Sequence, residues 1–244
     1  MKIYLYDSTF NGLLSAIHVA FYSKEPEVEI IREDDYLQTT IQEVLYIPTN
    51  QEKSDKVAQA IKEKISLTAF NNIYYAYLSE YIDAGTKILA YLRLGFKKGS
   101  EIDCYSYLDE VKSIHGYRSK VLLEKHRMLG FVRFQNYPDY FLSIIEPDHN
   151  ILHLIMPHFV ARLPKEKFII LDKKRQLAGF YNGDHWRLMP LTINTDSQTE
   201  DRYTLLWQEY FKTIAIKERS NTKLQKKFMP ARYWKHLTEY KTKS

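Results

Sequence analysis

The chain holds one cysteine, Cys104, in 244 residues. A lone thiol cannot close an internal disulfide, build a zinc site by itself or hold an iron–sulfur cluster. Glycine and proline number only eight each, which excludes collagen-like and low-complexity chains. Neither G-x-G-x-x-G, G-x-x-x-x-G-K nor G-x-S-x-G occurs. Phosphate-cradling loops and the nucleophile elbow therefore leave no signature. No apolar run approaches the ~18 residues of a membrane span, and no basic-then-apolar leader follows Met1. A reducing cytoplasm, with no membrane partner, is the expected setting. What remains is ordinary globular material: 45% hydrophobic and 27% charged residues, enough for a sizeable core at ~150 residues per domain.

Charge is unevenly spread. The net charge is +5, yet residues 212–244 hold ten Lys or Arg against only Glu218 and Glu239, so that stretch carries +8 and the rest −3. A basic end on a near-neutral body suits a polyanion, and it equally suits a solvated helical face.

Along the chain, Ile3–Tyr6 reads as a short strand, and Asp7, Ser8 and Thr9 supply caps for a helix over 10–23. Short β-type runs follow near 28–31 and 43–47. Ser54 is the expected cap of a long helical region carrying Val57, Ile61, Ile65, Phe70, Ile73, Tyr77 and Tyr81. Further helices are expected over 84–96 and 105–125. The period then shifts: 130–135 (GFVRFQ) alternates, 140–145 is β-rich, 151–162 reads helical with Pro157 kinking it or starting a second helix, and 167–171 and 177–181 are strands about a polar turn. The fold class is α+β: a mainly helical N-terminal half (1–127), an antiparallel β-β-α-β-β unit (128–193) and a helical basic tail (194–244).

Chemistry-bearing residues each have a bland alternative. Asp148, His149, His153 and His158 cluster, and His149 and His153 share helical spacing, but no Glu stands between them, so caps and core are expected rather than metal. His115 and His126 could meet Cys104 only through the fold. Tyr74, Tyr75, Tyr77 and Tyr81 line a helix, which suits a packed core or a partner surface. Arg133 and Phe134, in the expected strand, face opposite ways, so an outward Arg133 meets a phosphate or a surface carboxylate. The tail is the richest segment. Residues 221–234, NTKLQKKFMPARYW, interleave Lys223, Lys226, Lys227 and Arg232 with Phe228, Tyr233 and Trp234, and Lys235 follows. Cations there can neutralise phosphates and aromatic faces can hold unstacked bases; alternatively Leu224, Phe228 and Trp234 dock the tail and leave the cations in water.

Four segments carry a family resemblance: YDSTFNGLL (6–14), EKHRMLGFVRF (124–134), PHF (157–159) and KLQKKFMPARYWKHLTE (223–239). Together they resemble a bacterial family of probable DNA-metabolism proteins. Its domain of unknown function is encoded beside a putative radical SAM protein of DNA repair or modification, and a similar domain occurs fused to uracil-DNA glycosylase-family domains. The family often has Gly where Ser8 stands and Asn-Pro where Asn221-Thr222 stands. No catalytic residue carries over. The resemblance implies an accessory protein of DNA repair or modification with two partners: DNA, and the radical SAM protein, which would bring the cluster chemistry. On this reading the chain carries no cofactor or metal of its own and is not itself the enzyme. The nucleic-acid contacts are expected at Arg133, Lys223, Lys226, Lys227, Arg232, Tyr233, Trp234 and Lys235. Two alternatives stand beside it: a hydrolase or glycosylase-like enzyme using Asp7, Asp148 or Asp172, and a protein-interaction module that does not touch DNA.

Overall fold

The computed structural model describes residues 2–23, 25, 27–37, 43–192 and 221–237. The polar linker expected at 194–201, the helix expected through Trp207, Tyr210 and Phe211, and the tail cations outside 221–237 lie outside the described residues. The chain forms two compact units, Met1–Leu122 and Leu123–Ser244, and as a whole it is α+β, mixing helices with two sheets. Among the described residues, no helix is long and apolar enough to cross a membrane.

In the first unit, β1 (Lys2–Tyr6) is the centre of a three-stranded parallel sheet, between β2 (Val28–Arg32) and β3 (Glu43–Tyr46). Parallel neighbours require a crossover, and α1 (Phe10–Tyr22) supplies it from β1 to β2. Thr9 caps α1, its hydroxyl accepting from the Gly12 N–H at 2.9 Å. Leu13, Leu14 and Ile17 of α1 are buried, as their common helical face demands.

The long helical region expected after residue 54 is two helices, α2 (Gln51–Lys64) and α3 (Leu67–Leu78). Asn50, not Ser54, caps α2, accepting from the Lys53 N–H at 2.9 Å. Ser54 is buried because its spacing to Val57 and Ile61 puts it on the inward face, and its hydroxyl donates to the Gln51 carbonyl instead. Ser66 caps α3 from the Ala69 N–H at 2.9 Å, which breaks the helical run. The tyrosines of α3 pack within the unit: Tyr74 and Tyr77 lie 5.1 and 5.2 Å from the Phe10 ring, and the Tyr77 hydroxyl donates to the Ser8 carbonyl.

Next comes α4 (Ala84–Lys98), whose start seals the outer edge of β2. The Ile30 N–H donates to Thr86 Oγ1 at 2.9 Å, satisfying an edge donor that a sheet otherwise leaves open. Gly85 makes this approach possible, since a Cβ there would lie 2.5 Å from the Ile30 carbonyl oxygen. A 3₁₀ turn (Gly99–Cys104) leads into α5 (Asp109–Phe131).

This helix runs six residues beyond the end expected at 125 and takes the place of the strand expected from 130. Its buried residues Val121, Glu124 and Met128, with Val132 just past its end, follow helical spacing, which outweighs the brief alternation of GFVRF. Arg133 therefore lies just past the helix end, and its guanidinium donates to the Gly130 and Val132 carbonyls at 2.7 and 3.3 Å. A cation closing helix-end carbonyls is favourable on both hydrogen-bond and dipole grounds.

The second unit continues with β4 (Gln135–Asn136), β5 (Phe141–Ile145), α6 (Leu152–Arg162), β6 (Phe168–Asp172), β7 (Leu177–Tyr181) and β8 (Trp186–Pro190). The five strands pair in chain order. The sheet is not wholly antiparallel: β5 and β6 are parallel, because α6 carries the chain back to its starting end. Pro157 lies inside a single α6. Phe134 packs edge-on against Phe159 and Phe168, 5.6 and 5.5 Å away, and joins this core.

Candidate nucleic-acid interface at the docked tail

The end of the described chain holds a short helix, α7 (Thr222–Phe228), and a 3₁₀ turn (Ala231–His236). Asn221 caps α7 by accepting from the Leu224 N–H at 3.0 Å, and Pro230 separates the two elements. Within the second unit this segment is pinned down. Tyr233 is 2% exposed and Leu237 is fully buried. The Tyr233 ring lies 5.7 Å from Phe131.

The pin is a carboxylate. Glu124, on α5 and only 3% exposed, accepts from the backbone N–H groups of Asp148 and His149 at 2.9 and 2.8 Å and from the Tyr233 hydroxyl. A buried charge is tolerable only when hydrogen bonds replace its water, and here three donors do so. Burial and then the adjoining carboxylate push the Tyr233 phenol above its usual range, so it remains a donor. Arg232 reaches Asp148 at 2.7 Å, gives a hydrogen bond to the Tyr233 oxygen at 2.9 Å and stands 3.8 Å from Glu124. Lys235 pairs with Glu146, which also lies 3.2 Å from His236 Nε2. Burial pushes the Glu146 carboxyl up, but the Lys235 hydrogen bond and the charges of Lys235, His236 and Lys173 outweigh it and hold the group below the usual carboxylate range. From the other side, Arg175 fixes the loop by donating to the carbonyls of Pro147 and Asp148 and to Asp172.

The eight expected contact residues thus divide. Tyr233 is buried and shows no open ring face. Arg232 and Lys235 hold carboxylates, and Arg133 holds helix-end carbonyls. Trp234 is half-buried, donating its indole N–H to the Met229 carbonyl at 2.9 Å. Tyr233 and Leu237, rather than Leu224 and Phe228, dock the tail: Leu224 and Phe228 are 51% and 65% exposed. Lys223, Lys226 and Lys227 are exposed on α7, form no ion pair among the described residues, and share one face at i, i+3 and i+4 spacing. Lys226 lies 6.0 Å from the Trp234 ring and Lys227 6.0 Å from that of Phe228.

Sequence reading missed the role of Glu124 and Glu146. A signal was present: Glu124 stands in the buried stripe of α5 between Val121 and Met128, where an acid needs partners. The other acids and histidines are engaged locally. Asp7 accepts from Thr9 and Thr49 hydroxyls at 2.7 Å, and Asp172 is buried against Arg175 at 2.7 Å. His149 is buried with its N–H on Glu124, burial holds His153 below its usual range, and His158 lies against Phe159. No group of three metal-binding side chains gathers among the described residues. His115 Nε2 lies 2.7 Å from Asp103, which also accepts from Asn72 and Tyr91, while Cys104 is exposed.

No curated protein matches the sequence. Among solved structures, the chain is similar to a pGpG-specific phosphodiesterase, PggH from Vibrio cholerae, at a TM-score of 0.36 and 12% identity, over 73% of this chain and 81% of that one. The model of a domain of unknown function, DUF4130, matches residues 83–239, from the start of α4 through the docked tail. The chain therefore belongs to the DUF4130 family.

Proposed function

We propose that this chain is an accessory protein of a DNA repair or modification system. It grips DNA phosphates through α7 and serves a radical SAM enzyme that supplies the radical chemistry. One observation carries the DNA contact. The tail is pinned by its own acid-paired half, Arg232, Tyr233 and Lys235, and this leaves Lys223, Lys226 and Lys227 together on an exposed helical face. A fixed row of cations meets a phosphate backbone without first paying the entropy of ordering a free tail. Exposed Phe228 beside Lys227 offers a ring face on which an unstacked base can rest. The radical SAM partner rests on the resemblance of the four sequence segments, which is an association of families rather than a contact geometry.

The test is binding to fluorescently labelled single- and double-stranded DNA across a salt series. Each phosphate contact contributes about 0.9 to the slope of log K against log salt on a duplex. The triple variant Lys223→Glu/Lys226→Glu/Lys227→Glu therefore lowers that slope by about 3. An unchanged slope in the variant, or no binding at 20 mM salt, would refute the phosphate grip. Co-purification with the radical SAM protein checks the partner: loss of DNA binding with the complex intact assigns the lysines to DNA, whereas loss of the complex in the triple variant reassigns α7 to the partner.

A further inference from the structure

The first unit holds a cleft that the tail reading does not use. It opens between α1, α2 and α4, has a volume of about 360 Å³, and is lined by His18, Phe21, Tyr22, Lys56, Lys64 and Phe96 together with Val57 and Ala60. That volume falls in the lower part of the ~300–1,000 Å³ range of small-ligand pockets.

Its lining combines two chemistries. One is aromatic. Phe21 meets Phe96 edge to face at 5.3 Å, and Tyr22 lies against the His18 ring at 4.7 Å with 35° between the planes. Tyr22 is nonetheless 79% exposed and Phe21 37%, so ring surface that the core could have absorbed faces the solvent. The other chemistry is cationic. Lys56 and Lys64 stand on α2 across from these rings, and Lys53 is near enough for its charge to act on His18. After burial itself, the charges of Lys53 and Lys56 hold the imidazole below its usual range. Lys56 is paired with Glu52 at 2.6 Å, but both side chains are largely exposed, at 64% and 76%, so the pair is weak enough to yield to a phosphate, and Lys64 forms no ion pair among the described residues.

A site with exposed ring faces on one wall and cations on the other fits a flat aromatic group bearing negative charge. We infer that this cleft binds a nucleotide, its base against Tyr22 and Phe21 and its phosphate toward Lys56 and Lys64. The inference stands on the cleft alone and does not rest on the role of α7. The same chemistry can come from a free nucleotide or from one nucleotide of a single strand.

The experiment uses the full chain with two probes: thymidine monophosphate, followed by saturation-transfer NMR, and a fluorescein-labelled ten-residue oligothymidylate, followed by anisotropy. Tyr22→Ala is expected to weaken binding about tenfold or more, the fold-change for one lost base stack. Lys56→Gln/Lys64→Gln is expected to weaken it and to flatten its salt dependence. Both positions are on the surface, and matching circular-dichroism melts confirm that the variants fold. Weakening with both probes supports a cleft open to either source. Weakening with the oligonucleotide alone assigns it to a strand, and with the monophosphate alone to a free nucleotide. The inference is overturned if neither probe binds, or if neither responds to Tyr22→Ala and to the lysine pair. The α7 triple variant separates this from the tail: it leaves monophosphate binding unchanged. Oligonucleotide binding that is lost in the α7 variant, with neither probe responding to Tyr22→Ala or to the lysine pair, sinks the cleft and spares the tail.

Discussion

Removal of one oxygen atom tests how the tail is held. In Tyr233→Phe the ring keeps its contact with Phe131, 5.7 Å away, but Glu124 loses the hydroxyl donor. The buried carboxylate then retains the Asp148 and His149 N–H groups, with Arg232 as its next cation at 3.8 Å. A hydrogen bond to a charged group contributes about 1.5–3 kcal/mol. Arg232, released from the Tyr233 oxygen, can turn toward Glu124 and offset part of the loss, so the expected cost is about 2 kcal/mol. For a chain of this size that corresponds to a fall in Tm of about 4–8 °C. The control is Asp148→Asn, which removes the ion pair with Arg232 but keeps the backbone N–H on Glu124. Both side chains of that pair are half-exposed, at 49% and 51%, so it is worth less than ~1 kcal/mol. Glu124→Gln keeps the shape but turns an NH₂ group toward a backbone N–H, and is expected to cost ~3 kcal/mol or more. Differential scanning calorimetry ranks the three, and Trp234 emission reports release of the tail. If Tyr233→Phe melts with the wild type, or Asp148→Asn costs more than it does, Glu124 is not the pin and the reasoning fails.

The remaining predictions concern acid and packing. Glu146 has a lowered folded pKa, so its contribution is present above the usual carboxylate value of ~4.3 and is lost as pH falls through the folded value. Glu146→Gln should therefore destabilise at pH 7 by a margin that shrinks between pH 5 and 3, and a variant whose Tm falls in parallel with the wild type over that window contradicts this. Gly85→Ala drives a Cβ to 2.5 Å from the Ile30 backbone carbonyl, which the sheet cannot yield, and should cost ~2–3 kcal/mol. At Gly179 the obstacle is the Met156 side chain at 2.3 Å, which can shift rotamer, so Gly179→Ala should cost less. Urea midpoints in the reverse order would overturn the distinction between backbone and flexible obstacles.

Much of the fold was legible because its signals are local. The Ile3–Tyr6 run, the Asp-Ser-Thr cap and the helical spacing of Leu13, Leu14 and Ile17 sit within twenty residues, and the β6–β7 hairpin turns on its own polar loop. Errors arose where two periods fit one short window. GFVRF alternates like a strand, and only the stripe from Val121 through Val132 shows it to be helical to Phe131. β8 escaped notice because it is an edge strand, largely exposed and ending in Pro190, so neither burial pattern nor composition marks it. The parallel pairing of β5 with β6 was readable in principle, since a helix between two neighbouring strands returns the chain to its starting end.

The site divides along the same line. The cations and aromatics of 221–235 are visible in sequence, but their availability is not, because it depends on acids far along the chain: Tyr233 meets Glu124 across 109 residues and Lys235 meets Glu146 across 89. Those acids sort the tail. Arg232 and Lys235 fall opposite Asp148 and Glu146 and serve structure, whereas Lys223, Lys226 and Lys227 project one element earlier, where no described acid reaches them. Among the described residues 221–237, a count of charge therefore overstates how many cations are free of a carboxylate. Among the described residues of the tail, the cations without an ion pair are those of α7: neutralising Arg232 or Lys235 removes a partner of a carboxylate that holds the tail, while neutralising the α7 lysines would leave that platform in place and, on the proposed reading, remove only the phosphate contact.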